Sequence, residues 1–218
     1  MLKKVLNGFT FHFPNEVEFR YLYEEIFKKY MYYVQLEKMD PRILDCGAHI
    51  GLATLFFKSM YPDSRITAFE PQPQNLEILK QNLLDNRIID VQIIPKALWV
   101  TEGPLQLHID QDQENHWSST SSLLKGSWTG KQPTVPITVD AVRLSSYLDE
   151  PIDILKVDIE GAETEVFKEC REKLFNVKYL FVEFHKTDFH RPEELVTLLL
   201  NCGFKLNVYA DNQEVPLN

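Results

Sequence analysis

The sequence predicts an α/β fold: a doubly wound, mostly parallel sheet with helices on both faces. Two observations carry this expectation. From Pro41 onward, short and nearly continuous apolar runs alternate with longer amphipathic ones. Runs of that kind suit strands buried on both faces, joined by crossover helices. Glycines and carboxylates then recur directly after the apolar runs, where open α/β sheets bind their ligands. With 44% apolar and 25% charged residues among 218, the chain has the make-up of an ordinary soluble domain with a sizeable core.

The elements follow in order. Residues 14–33, PNEVEFRYLYEEIFKKYMYY, read as a helix, with Asn15 and Glu18 at capping-box spacing and Leu22, Ile26 and Tyr30 recurring every fourth residue. Residues 1–40 are therefore taken as an N-terminal helical extension, and 41–218 as the main domain. RILDC (42–46) is the first strand and ATLFFKSM begins the helix after it. RITAF (65–69), the helical NLEILKQNLL and VQII (91–94) repeat the unit. Residues 98–109, LWVTEGPLQLHI, resemble a hairpin turning near Gly103-Pro104, and VPITVDAV resumes a strand. Between them, about 110–134 has little periodicity, and loops of that length inside a domain are commonly functional or disordered. Trp117, Trp128 and the serines at 118–122 make a hairpin and substrate-covering flap, about 98–134, one candidate; a surface insertion is the other. IDILKV (152–157), a helix from about Ala162, KYLFVEF (178–184), the helix PEELVTLLLN and the strand FKLNVY (204–209) complete the alternation.

The net charge of −9 argues against nucleic acid or an anionic membrane surface as partner. No apolar run approaches the roughly 20 residues of a membrane span, and the first residues do not form a signal peptide. Cys46, Cys170 and Cys202 lack metal-site spacing and read as reduced core residues of a cytoplasmic protein. The sequence leaves homodimerisation open.

Chemistry is legible at the strand ends. After the first strand comes D-C-G-A-H-I-G, with Asp45, Gly47, His49 and Gly51. Glycines there permit a sharp turn and close approach of a ligand, with a helix N-terminus behind them. The dinucleotide fingerprint is absent, because His49 and Leu52 fill its second and third glycine slots. After the second strand comes AFEP, with Glu70 and Pro71; Glu70 lies 19 residues beyond Gly51. A carboxylate at about that distance commonly takes a ribose diol. A ribose-bearing cofactor without a pyrophosphate fits both features, and S-adenosylmethionine is one. Asp45 with the glycine loop is expected to receive its amino group, and Glu70 its ribose.

DCGAHIG, AFEP, PITVDAV and LKVDIEGAE, in this order, resemble the FkbM-type methyltransferases of the class I superfamily. The resemblance spans about residues 42–185, and its most specific segment is K-x-D-x-E-G-A-E. It implies a Rossmann-like fold, S-adenosylmethionine as donor with S-adenosylhomocysteine as product, and O-methylation of a sugar or secondary-metabolite hydroxyl. It carries over Asp45, Gly47, Gly51 and Glu70 as cofactor residues, with His49 and Pro71 in the same motifs. Ala97, in PKALW after the third strand, falls where such folds place adenine contacts.

The acidic turn DILKVDIEGAETEVF, residues 153–167, would then end a fourth strand beside the first. Glu183 and His185, two residues apart in FVEFH, come to the same rim. Four roles compete. Helix capping accounts for Glu165 and extends to Glu163. Asp158, Glu160, Glu183 and His185 are a candidate set for a divalent metal. His185 is the candidate general base, beside Asp158, for removing a hydroxyl proton. Positioning of acceptor hydroxyls is the favoured role for Asp158 and Glu160, with Glu183 beside them. The leading function is an O-methyltransferase with a small-molecule or glycan acceptor. An RNA ribose methyltransferase, a nicotinamide-dependent oxidoreductase and a non-catalytic cofactor-binding module are the alternatives.

Overall fold

The computed structural model describes residues 1–110, 122, 134–185, 190–210 and 213–216. The chain opens with β1 (Leu2–Leu6) and β2 (Phe9–Phe13), then α1 (Glu16–Tyr23), which runs into a π-helical turn at Glu24–Lys28. Next come β3 (Arg42–Cys46), α2 (Leu52–Met60), β4 (Arg65–Phe69), α3 (Pro73–Asp85) and β5 (Val91–Ile94). β6 (Ala97–Leu98), β7 (Gly103–Asp110) and β8 (Thr134–Val142) follow, then a 3-10 turn at Leu144–Tyr147. The last part holds β9 (Ile152–Val157), α4 (Glu163–Cys170), a 3-10 stretch at Arg171–Asn176, β10 (Val177–Val182), α5 (Pro192–Asn201), β11 (Val208–Ala210) and β12 (Gln213–Val215).

The central sheet has the order β10-β9-β3-β4-β5, with every neighbouring pair parallel. The chain winds outward from β3 through β4 to β5, then returns to β9 on the other side of β3. The switch between β3 and β9 opens a crevice at their carboxyl ends, the general ligand site of such sheets. Both faces are covered, as the unbroken apolar strands require. Ile43, Ile66, Ala68 and Ile154 face one core with α2, α3 and the N-terminal aromatics. Leu44, Cys46, Leu155 and Val157 face the other with α4 and α5. Among the described residues, no helix is long and apolar enough to cross a membrane.

The N-terminal region departs from the purely helical expectation. Asn7 and Gly8 both have positive φ, 50° and 81°. That pair is suited to the tight two-residue turn joining antiparallel strands, and it precedes the helix with the β1–β2 hairpin. Asn15 does cap α1, its Oδ1 accepting from the Val17 and Glu18 amides at 2.8 and 3.1 Å. The helix is shorter than its periodicity implied, and Tyr30, at φ 57°, lies beyond its end. The open edge of β2 is closed by side chains of α3 and of its C-cap residue, Asn86. Asn82 accepts from the His12 amide at 2.6 Å and donates to the His12 carbonyl at 3.0 Å, while Asn86 does the same for Thr10. Asn82 also donates to the Ile50 carbonyl at 2.7 Å, which ties the hairpin to the glycine loop.

Two strand expectations are corrected. Gly103-Pro104 does not turn a hairpin; it begins β7, which pairs antiparallel with β8 in a small sheet ordered β6-β8-β7. Pro104 is tolerated because β7 is an edge strand. FKLNVY does not extend the main sheet: only Val208–Ala210 is a strand, and it pairs with β12 as a separate ribbon. The flap expected at 110–134 lies largely outside the described residues, including Trp117 and Trp128; Ser122 and Thr134 are described within it.

Candidate functional site

The β3–β9 crevice is shaped first by a close approach. A β-carbon on Gly47 would lie 1.7 Å from the Asp158 carbonyl oxygen, so only glycine fits there. The glycine is therefore needed for the contact with the end of β9, in addition to any ligand. Gly51, at φ 90°, is the N-cap of α2, and Leu79 of α3 packs against it.

Glu70 follows β4 directly, at the strand end where the sequence placed it. It is buried at the end of β4, and its two oxygens each accept one backbone amide, from His49 at 2.8 Å and Gln72 at 2.9 Å. Burial pushes its carboxyl up to about 7, against the downward pull of those two bonds. Each oxygen retains acceptor capacity for a further donor, which is what a pair of ribose hydroxyls would use. Pro71 is half-buried beside it. Ala97 is buried among Leu107, Val139 and Ala141 of the small sheet.

Asp45, expected to receive the cofactor's amine, is engaged by neighbouring side chains, with its Oδ1 making no hydrogen bond among the described residues. It is fully buried, accepts from Thr54 Oγ1 at 2.6 Å and lies 3.4 Å from Lys156 Nζ. Lys156 is the residue that sequence reasoning passed over. Its signal was a lysine inside an otherwise apolar strand, IDILKV. Buried in β9, it donates to the Gly47 carbonyl at 2.6 Å, pairs with Asp158 Oδ2 at 3.4 Å and sits over the Tyr32 ring at 6.0 Å. Burial alone would lower its pKa, but Asp158 and Asp45 outweigh it and hold Lys156 well above the usual lysine range.

His49, with φ 52°, lies in the same loop. Its Nε2 is 3.7 Å from Oε1 of Glu18, a buried carboxylate of α1. Burial, partly offset by Glu18, lowers the His49 pKa, so the ring is neutral near pH 7. Tyr21 of α1 feels both Glu25 and Glu183, which together with burial raise its phenol. The N-terminal segment thus walls the crevice rather than standing apart from it.

Across the crevice, the acidic turn and the end of β10 converge on His185. Its Nδ1 is 3.1 Å from Glu163 Oε1, and its Nε2 is 3.5 Å from Glu160 Oε2 and 3.8 Å from Glu183 Oε1. Glu163 is more than a helix-capping acid: fully buried, it also accepts from the Ile159 and Gly161 amides at 3.3 and 3.1 Å. Glu165 pairs with Lys168 and lies 3.4 Å from His190. Burial works against the imidazolium, but Glu163 and Glu160 overcome it and push His185 up to about 10. Both ring nitrogens then carry protons near pH 7, the wrong state for a general base. The raised pKa weighs against the base role expected of His185. Partial desolvation at the rim and the Asp158 carboxylate raise the Glu183 carboxyl beyond the end of β10, an effect tempered by solvent because the side chain is 57% exposed. Burial also raises Glu160 well above the carboxylate range, partly opposed by His185. Ser122 closes over this turn, its Oγ donating to the Glu160 carbonyl at 2.8 Å. Asp158, Glu160 and His185 each offer one ligand atom within 4.8 Å of the others.

Comparison with known proteins adds a lineage to this geometry. The Methyltransferase FkbM domain matches residues 45–206. The chain is 30% identical to the methyltransferase sdnD of Sordaria araneosa, over 90% of its own length and 86% of that protein. It is 25% identical to the 2-O-methyltransferase NoeI of Sinorhizobium fredii, over 72% of this chain and 69% of the relative. It is 26% identical to the 31-O-demethyl-FK506 methyltransferase FkbM of Streptomyces tacrolimicus, over 94% and 89%.

Proposed function

The chain belongs to the FkbM methyltransferase family, and from that premise we propose an S-adenosylmethionine-dependent O-methyltransferase acting on a hydroxyl of a sugar, glycan or secondary metabolite. One observation carries this reading. The loop at Gly47–Gly51 is bonded on one side to Glu70 and pressed on the other against Asp158. A buried carboxylate and an acidic rim therefore flank a single turn at the sheet's switch point, which supports a ribose on one side of it and a hydroxyl acceptor on the other. The O-methyltransferase names of two relatives support the same choice of acceptor atom.

S-adenosylmethionine supplies an electrophilic methyl group on a sulfonium. The chain's part is to hold, align and deprotonate. Glu70 accepts the ribose hydroxyls, with His49 and Gln72 amides fixing its carboxylate. Lys156 holds the Gly47 carbonyl and Asp158 in one arrangement and so fixes the distance between the two halves of the site. Asp158 and Glu160 accept hydrogen bonds from acceptor hydroxyls. Glu183, on the open side with a raised pKa, takes the proton that the attacking hydroxyl loses. Tyr21, half-exposed beside this rim, offers a ring face to a sugar. Alignment of the acceptor oxygen supplies most of the acceleration in an in-line displacement.

The test is a titration with S-adenosylhomocysteine followed by transfer of a labelled methyl group to a panel of polyols and hydroxylated metabolites. The ligand should raise the melting temperature, and Glu70→Ala should abolish most of that shift. No shift with either S-adenosyl compound at millimolar ligand, or an equal shift with NAD, would sink the reading.

A further inference from the structure

We propose that Asp158, Glu160 and His185 form a divalent-cation site of the manganese and magnesium class, which binds the acceptor through its reacting hydroxyl and a neighbouring oxygen. The proposal rests on the methyltransferase reading and specifies its acceptor end. The three donor atoms come from different elements: the ends of β9 and β10 and the turn before α4. They lie within 4.8 Å of one another. Ligands about 2.0–2.2 Å from one such ion stand roughly 3–4.4 Å apart, so movements of a fraction of an ångström close the set.

Two further features point to a ligand there. Glu160 Oε2 is shielded from solvent and makes no hydrogen bond among the described residues, although it faces His185 Nε2 at 3.5 Å. A buried carboxylate oxygen without a donor is costly, and a cation between these two atoms would satisfy it. Glu163 is the second feature. Its side chain is 1% exposed, it is directed at the same histidine, and its Oε2 likewise lacks a hydrogen bond among the described residues. By taking Nδ1 at 3.1 Å it fixes the ring with Nε2 turned toward Glu160 and Glu183. A carboxylate holding the far nitrogen is the usual outer support of a metal-bound histidine.

The donor set indicates the metal. Two carboxylates and one imidazole, without thiolate, suit manganese or magnesium better than soft ions. The carboxylates of Asp158, Glu160, Glu163 and Glu183 lie around His185 and Lys156, and a bound cation would take the place of the proton on His185 Nε2, releasing it to solvent. Three protein ligands leave coordination positions open in an octahedral shell. An acceptor with two adjacent oxygens, such as a vicinal diol, fills two of them by chelation. The ion would lower the pKa of the bound hydroxyl and so ease loss of its proton to water. The new O–C bond forms as the C–S bond breaks, its electron pair passing to sulfur.

The experiment uses the full chain, stripped with a chelator, and manganese(II) as the probe, with binding followed by electron paramagnetic resonance and S-adenosylhomocysteine affinity by calorimetry. Wild type should take up one manganese per chain, displaced by excess magnesium. Glu160→Gln, which keeps the shape, should weaken uptake at least tenfold while S-adenosylhomocysteine affinity stays within twofold. His185→Gln should do the same. Wild-type uptake no tighter than that of Glu160→Gln overturns the site, whether both are weak or both bind elsewhere. Failure of S-adenosylhomocysteine to bind overturns the methyltransferase reading instead, so the two outcomes are separable.

Discussion

Lys156 and Asp45 are register partners on adjacent parallel strands β9 and β3, and their side chains meet at 3.4 Å in the protein interior. Such a pair is held by its neighbours, here Thr54, the Gly47 carbonyl and Asp158. Removing one member strands the other. Lys156→Met should therefore destabilise the chain by about 3–5 kcal/mol. Adding Asp45→Asn should recover a large part of that loss, measured by urea unfolding as a double-mutant cycle.

Gly47→Ala tests the close approach. Its β-carbon would collide with backbone, the Asp158 carbonyl, and backbone cannot swing aside as a side chain can. Gly47 also has φ 81°, where alanine is strained. We expect β3 and β9 to separate at their carboxyl ends, with S-adenosylhomocysteine affinity reduced at least tenfold. Calorimetry on the folded fraction measures it; affinity equal to wild type would contradict the packing role.

The raised pKa of Glu70 predicts a pH-dependent affinity. The free protein's carboxyl titrates at about 7, whereas ribose hydroxyls donating to it favour the charged form. Binding then expels a proton below pH 7. Affinity for S-adenosylhomocysteine should be flat above that pH and fall by up to about tenfold per unit beneath it. Glu70→Gln should flatten the profile. The same shift bears on stability with the opposite slope. The unfolded carboxyl ionises near its ordinary value of 4.5, so this group's contribution to stability falls as pH rises from there to about 7.

Glu183→Gln separates alignment from proton removal. Glutamine keeps the size of the side chain but cannot take a proton, so kcat should drop by about 10²–10⁴ with acceptor KM little changed. Steady-state kinetics against a working acceptor measures the split. A rise in KM alone would assign Glu183 to binding.

How much was legible in advance follows a simple physical division. The strands at 42–46, 65–69, 91–94 and 152–157, the helices after them and the carboxylate at Glu70 could be read because their signals are local. Apolar period, glycine punctuation and spacing along the chain express them directly. The β1–β2 turn was equally local, written in Asn7-Gly8, and was obscured by the stronger helical pattern that follows.

The assignment of roles within the site was not local. Asp45 was placed on the correct strand end, but only packing against β9 brought Lys156 to it. His185 has an ordinary sequence context; three carboxylates from two other elements and its own strand end surround it and raise its pKa. Glu18 reaches His49 across 31 residues of chain, and Asn82 bonds the His12 backbone across 70. The sequence by itself determined the family, the parallel sheet and the acidic rim, because periodicity and motif spacing are properties of neighbouring residues. The tertiary structure decided which carboxylates are buried, which are paired and what charge each group carries. Those depend on desolvation and on distances between side chains that only folding brings together.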